Sequence, residues 1–186
     1  MVLGHSTALS YSRHRAKKTM SASTPTPAIA IRLAVDKDAP KILACLQAAF
    51  APYRDFYSPA AYLDTVLSPE TLRERFTQMQ VFVAETSSGE IAGTIACQAI
   101  YHAEGHLRGM AVLPNYQGAG IAAQLLSHAE IELRRQNCSR ITLDTTAPLK
   151  RAARFYENFG FRRSGKVSDF FGMPLFEYEK RLPTKE

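Results

Sequence analysis

The sequence predicts an α+β fold built on a mixed sheet, and three observations carry that reading. Val81-Phe82-Val83-Ala84 and Ile91 to Ile100 are apolar runs separated by the turn Ser87-Ser88-Gly89-Glu90, the pattern of an antiparallel hairpin. Leu107 to Val112 leads instead through a glycine-rich turn into a helical stripe of Ile121, Leu125, Ala129 and Leu133. Hairpins and crossovers in one chain argue against a doubly wound sheet.

The elements follow in order. Ile29 to Leu33 reads as the first strand, with Asp36 and Asp38 as N-cap candidates and Pro40 in the first helical turn. Ile42, Leu43, Leu46, Ala49 and Phe50 recur at helical spacing and give one buried face. Residues 50–63 form an aromatic segment before a second helix, which starts at Ser68-Pro69-Glu70 and has Leu72 and Phe76 as its apolar side. After the hairpin and the strand 107–112, the helix with the four-residue repeat ends near Asn137. Ile141 to Thr145 is a strand, and Pro148 opens a helix with Ala152, Phe155, Tyr156 and Phe159 on one face before Gly160 ends it. Phe161-Arg162-Arg163 and Leu175 to Lys180 are the last two strands.

A chain of 186 residues with this apolar content buries one core, and its length favours a single domain. The formal charge of +6 suggests a nucleic-acid partner only until its distribution is read. Residues 1–35 hold five of the 23 basic residues and no acid, which leaves 18 basic against 17 acidic residues elsewhere. No basic binding face follows, and no nucleic-acid partner is expected. Residues 1–28 are rich in Ser, Thr and basic residues, end in Ser23-Thr24-Pro25-Thr26-Pro27, and read as a disordered extension ahead of a domain over 29–186. The same acid-free composition also fits an organelle transit peptide, and Met20 is an alternative start. Cys45, Cys97 and Cys138 are odd in number and widely spaced, which argues against a disulfide framework and a metal site and for reduced thiols in a cytoplasmic protein. No window is apolar enough to span a bilayer, so no membrane partner is expected.

The most informative run is Val112-Leu113-Pro114-Asn115-Tyr116-Gln117-Gly118-Ala119-Gly120-Ile121-Ala122. A strand ends and a helix begins across small residues that leave the backbone uncovered, and the first N–H groups of a helix converge on an anion at the positive end of its dipole. Gln117, Gly120 and Ala122 meet the pattern (Gln or Arg)-x-x-Gly-x-(Gly or Ala), and Ala152, Tyr156, Gly160 and Phe161 meet Ala-x-x-x-Tyr-x-x-x-Gly-Phe about thirty residues later. In this order the two strings resemble the signatures of the GNAT superfamily of N-acyltransferases. The resemblance implies a mostly antiparallel sheet of about seven strands, splayed between the fourth and fifth and flanked by about four helices.

It also implies acetyl-CoA as acyl donor, no metal, and transfer of the acetyl group to a primary amine of a small molecule or protein. The pyrophosphate would rest on the N–H groups of Gln117, Gly118, Ala119, Gly120, Ile121 and Ala122. Main-chain groups of Met110, Ala111 and Val112 would pair with pantetheine, because the corresponding family strand carries a β-bulge; Gly109 is consistent with one. Tyr156 stands where the family places the acid that protonates the departing thiolate. Phenols and thiols have ordinary pKa values of about 10 and 8.5, so a tyrosine holds its proton at neutral pH. His106 occupies the strand position where many relatives carry a Glu base, with Glu104 and Asp144 as rivals. Leu149 departs from the pattern at a position commonly Asn. Tyr53, Phe56 and Tyr57, with Phe171 opposite, are the candidate acceptor wall. The resemblance leaves a homodimer open. A non-catalytic acyl-CoA-binding module acting through protein contacts is the alternative reading.

Overall fold

A computed structural model describes residues 28–182. The extension expected over 1–28, with its transit-peptide and Met20 readings, lies outside the described residues apart from residue 28. Seven strands form one sheet: β1 (Ile29–Leu33), β2 (Gln80–Thr86), β3 (Ile91–Ile100), β4 (Glu104–Val112), β5 (Arg140–Thr146), β6 (Arg162–Phe170) and β7 (Met173–Arg181). Their spatial order is β1-β2-β3-β4-β5-β7-β6. Only the central β4–β5 pair is parallel, and every other neighbour is antiparallel.

Among the described residues there are five α-helices rather than about four: α1 (Ala39–Phe50), α2 (Pro59–Val66), α3 (Pro69–Gln78), α4 (Ile121–Arg135) and α5 (Lys150–Asn158). The additional one is α2, inside the segment read as an aromatic connection. Ser58-Pro59 starts it as Ser68-Pro69 starts α3: each serine Oγ accepts the N–H three residues on, and each proline takes the position that needs no donor. Residues 51–56 ahead of it form a 3-10 turn. Asp38 stands at the N-cap of α1, but neither its side chain nor that of Asp36 accepts an N–H of that helix. The buried Asp38 carboxylate instead accepts from Arg32 Nη1 and Nη2 at 2.6 and 3.0 Å and from the Val35 N–H at 2.9 Å, tying the start of α1 to β1.

Helices cover the two sheet faces unequally. Ile42, Cys45 and Leu46 of α1 and Leu72 of α3 pack on Val81, Val83, Ile91 and Ala96. On the opposite face, Ile121, Leu125, Leu126, Ala129 and Leu133 of α4 and Tyr156 of α5 pack on Phe82, Cys97, Leu107, Ile141, Leu143 and Tyr178. The three thiols are unpaired and buried, and burial raises the Cys45 and Cys97 thiols to about 12, so both stay protonated. Among the described residues no helix is long and apolar enough to cross a membrane.

Candidate active site

The site forms where β4 and β5 part. They pair only over Glu104 to Leu107 against Arg140 to Leu143, whereas β4 runs on to Val112 and β5 to Thr146. A cavity of about 510 Å³ opens in this fork, lined by Arg108 to Val112, Leu143 to Thr146 and the α5 residues Ala152, Phe155 and Tyr156.

A β-bulge shapes the fork. Ala96 faces Arg108 and Thr94 faces Ala111, so β4 carries one residue more than β3 over this stretch. Gly109 absorbs the distortion at φ +62°, in the left-handed region where a side chain is strained. The extra residue also resets the alternation of faces. Leu107, Met110 and Val112 belong to the α4–α5 side and Ala111 to the α1–α3 side, whereas an unbroken strand would put 107, 109 and 111 on one face.

Val112 leads through a 3-10 turn, Pro114–Tyr116, to Gly120, which precedes α4 at φ +78°. The N–H groups of Gln117 and Ala119 are taken up inside the turn, by the carbonyls of Pro114 and Tyr116. Those of Gly118, Gly120, Ile121, Ala122 and Ala123 have no protein partner among the described residues. The donor set is therefore narrower than the run expected from Gln117 to Ala122, and it extends one residue further. Gln117 acts through its side chain: Nε2 donates to the Val112 carbonyl at 3.2 Å, and Oε1 accepts from Arg151 Nη1 at 3.0 Å. One of the strand groups expected to face a ligand is thus engaged within the protein.

Tyr156 reaches this fork from α5. Its Oη donates to Met110 Sδ at 3.4 Å, a weak acceptor that a stronger one displaces. Burial raises the phenol pKa well above its ordinary value.

His106 does not line the cavity; Asp144, across the β4–β5 pair, does. Nδ1 of His106 lies 3.0 Å from Thr142 Oγ1 and Nε2 lies 3.6 Å from Asp144 Oδ2. Thr142 Oγ1 also lies 3.1 Å from Glu104 Oε1, and the Nε2 edge of the imidazole faces the Asp144 carboxylate. Burial holds the imidazole pKa below its ordinary value, against the opposing pull of Asp144, and burial raises the Asp144 carboxyl. Glu104, the other rival base, is held by Arg140 Nη1 at 2.6 Å in an ion pair between β4 and β5.

Of the aromatic residues expected to form an acceptor wall, Tyr53 and Tyr57 line the cavity, and Tyr57 Oη shares a hydrogen bond with Thr146 Oγ1 at 2.5 Å. Phe56 and Phe171 do not line it; they are 65% and 52% exposed. Phe171 turns outward at the β6–β7 tip with φ +52°, and Phe170 and Leu175 stand at the cavity in its place. That tip is tied to the start of α2, where Ser58 Oγ donates to the Phe171 carbonyl at 2.9 Å. Sequence reasoning missed Asp64 and Thr65 of α2 and Arg75 of α3, all of which line the cavity. Arg75 did leave a signal: Leu72, Arg75 and Phe76 share one helix face, which sets a charge among apolar residues. Its guanidinium lies against Gly109, where a Cβ would collide with Nη1. Burial and the neighbouring Arg108 lower its pKa to about 10, and Asp64 opposes them.

Residues 42–161 match the model of the acetyltransferase (GNAT) family. The chain is similar to the N-alpha-acetyltransferase MAK3 of Arabidopsis thaliana, with 28% identity over 100 residues, 51% of this chain and 53% of that protein. It spans about half the length of the curated relatives it matches. Its fold is similar to that of the ribosomal-protein-S18-alanine N-acetyltransferase of Escherichia coli, with a TM-score of 0.69 and 20% identity over 86% of this chain and 97% of that one. The PaiA N-acetyltransferase of Thermoplasma acidophilum in complex with coenzyme A gives a TM-score of 0.68 and 20% identity over 83% and 99%. At these identities the structural likeness is one of fold.

Proposed function

Because the chain belongs to the acetyltransferase (GNAT) family, we propose that it is an acetyl-CoA-dependent N-acetyltransferase that passes the acetyl group to a primary amine of a small molecule or protein by direct attack on the thioester. One observation carries the reading: the β4–β5 fork ends at the α4 N-terminus in five N–H groups with no protein partner among the described residues, and it holds a tyrosine hydroxyl in its wall. The fork fits the donor. Its small exposed residues leave the N–H groups of Gly118 and Gly120 to Ala123 free to bind a diphosphate, and main-chain groups of Met110 and Ala111 border the open edge for amide groups of pantetheine.

Bound acetyl-CoA supplies an activated acyl thioester. Tyr156 keeps its proton at neutral pH because its burial disfavours the phenolate, and it is the general acid. The amine reaches the protein as an ammonium and must lose a proton before it can attack. The His106 imidazole and the Asp144 carboxylate face one another at 3.6 Å, and this pair is the base, with Asp144 presenting it to the cavity. Tyr53 and Tyr57 form the acceptor wall together with Phe170 and Leu175.

Thiol release from acetyl-CoA, followed across an amine panel, tests this. Amine-dependent release is expected, and Gly120→Glu should abolish it by placing a charged side chain among the free donors. A non-catalytic acyl-CoA-binding module would bind coenzyme A with no release from any amine. The relatives above, named as N-acetyltransferases, favour the enzyme.

A further inference from the structure

We propose that Arg75 is an anion-binding residue at the acceptor end of the cavity, and that the amine this protein acetylates carries a carboxylate seated on its guanidinium. The proposal rests on the acetyltransferase reading above and adds the chemical class of the acceptor.

Three observations converge on it. Arg75 extends from α3 into the cavity and lies against the bulge at Gly109, next in sequence to Met110 on the open edge of β4. Both acids that line the cavity have other partners: Asp64 Oδ2 accepts from Arg108 Nη2 at 3.2 Å, and Asp144 faces His106. Among the described residues no carboxylate or carbonyl hydrogen-bonds to Arg75, so its corner of the cavity holds two guanidinium groups and one carboxylate. Ala49, Phe50 and Tyr53 of the same cavity bring no charge to it.

A guanidinium drawn partly out of water whose one nearby carboxylate, Asp64, is already bonded to Arg108 is under-compensated, and an arriving anion relieves it. Its planar fork of N–H donors matches a carboxylate with two parallel hydrogen bonds. The diphosphate is not that anion. Its donors begin at Gly118, beyond the end of β4, whereas Arg75 sits three residues before that end, roughly 10 Å back along the strand. The carboxylate would therefore belong to the acceptor. It comes either from the main chain of an amino acid or from an acidic side chain, and the two present the same group.

The test uses the full chain with saturating coenzyme A and product-like ligands measured by calorimetry. The ligands are N-acetyl amino acids with a free α-carboxylate, their carboxamides, and N-acetyl-aspartate and N-acetyl-glutamate α-amides, which keep only the side-chain carboxylate. A carboxylate ligand is expected to bind about tenfold or more tighter than its uncharged partner, the scale of one charge-assisted contact. Whether the α-carboxylate or the side-chain set shows that preference identifies the source. Arg75→Gln should bring the pair within about twofold and leave coenzyme A affinity and Tm unchanged, while Arg75→Lys should restore part of the preference. Equal binding of charged and uncharged ligands, no binding of any carboxylate member, or a preference that survives Arg75→Gln overturns the proposal. Matched acceptors in the thiol-release assay separate it from the enzyme reading. Release without a carboxylate preference overturns the Arg75 role alone, whereas carboxylate binding without release from any amine overturns the enzyme reading alone.

Discussion

Gly109 and Arg75 compete for one volume: the guanidinium from α3 fills the space in which any side chain at the β4 bulge would begin. A single glycine thereby meets two demands, a left-handed backbone and room for a charge. Gly109→Ala should lower unfolding free energy by about 2 kcal/mol, since a Cβ in the left-handed region costs about 1–2 kcal/mol before any collision is added. In an Arg75→Ala background the collision part should vanish, giving a coupling above about 0.5 kcal/mol in a double-mutant cycle followed by denaturant unfolding. Strict additivity would show that the arginine simply steps aside.

Tyr156→Phe removes the hydroxyl and little else, because Met110 Sδ is its only described partner and a weak one. Turnover should fall by about 100-fold or more, the usual scale for losing a general acid, while acetyl-CoA affinity stays within about twofold. Steady-state kinetics paired with calorimetry read both quantities. Unchanged turnover removes Tyr156 from the acid role.

The pH profile carries the sign of the His106 shift. Burial disfavours the imidazolium, so the neutral, proton-accepting form persists to a lower pH than in a free histidine. The acid limb of kcat/KM should rise through a value below about 6.5 and be level at neutral pH. His106→Gln should remove that limb and slow the reaction, whereas an acid limb centred above neutrality assigns the base elsewhere.

Asp38 is expected to dominate part of the acid stability of the N-terminal region. Its hydrogen bonds from Arg32 hold the carboxyl below its ordinary range. A carboxylate whose folded pKa is depressed contributes stability above the unfolded value of about 3.9, and that contribution is lost as pH falls through the lower folded value. Asp38→Asn should therefore cost about 2 kcal/mol at pH 7 and flatten the loss of stability below pH 4, as read by urea unfolding across pH.

Much of the fold was legible because its signals are local. The hairpin around Gly89, the α4 stripe from Ile121 to Leu133 and the serine-proline start at Ser68 each depend on residues within one element, so spacing alone reveals them. The start of α2 at Ser58 was equally local, yet the aromatic residues around it drew the reading toward a binding wall. Phe56 and Phe171 shared that fate: an aromatic residue in a loop shows its chemistry in sequence, but the backbone turn that decides which way it faces does not.

By itself the sequence determined the α+β class, the glycine turn that uncovers the α4 N-terminus, and the pair of signatures that point to one family. Only the tertiary structure decided that β7 inserts between β5 and β6, that His106 lies behind Asp144, and that Arg75 from α3 stands beside Gly109 with no hydrogen-bonded carboxylate among the described residues. The division has a physical cause. Hydrogen-bond periodicity and side-chain branching act over a few residues and are written into spacing. Charge pairing and the filling of a cavity are settled between segments brought together only when the chain packs, and Arg75 meets Gly109 across thirty-four residues that no periodicity spans.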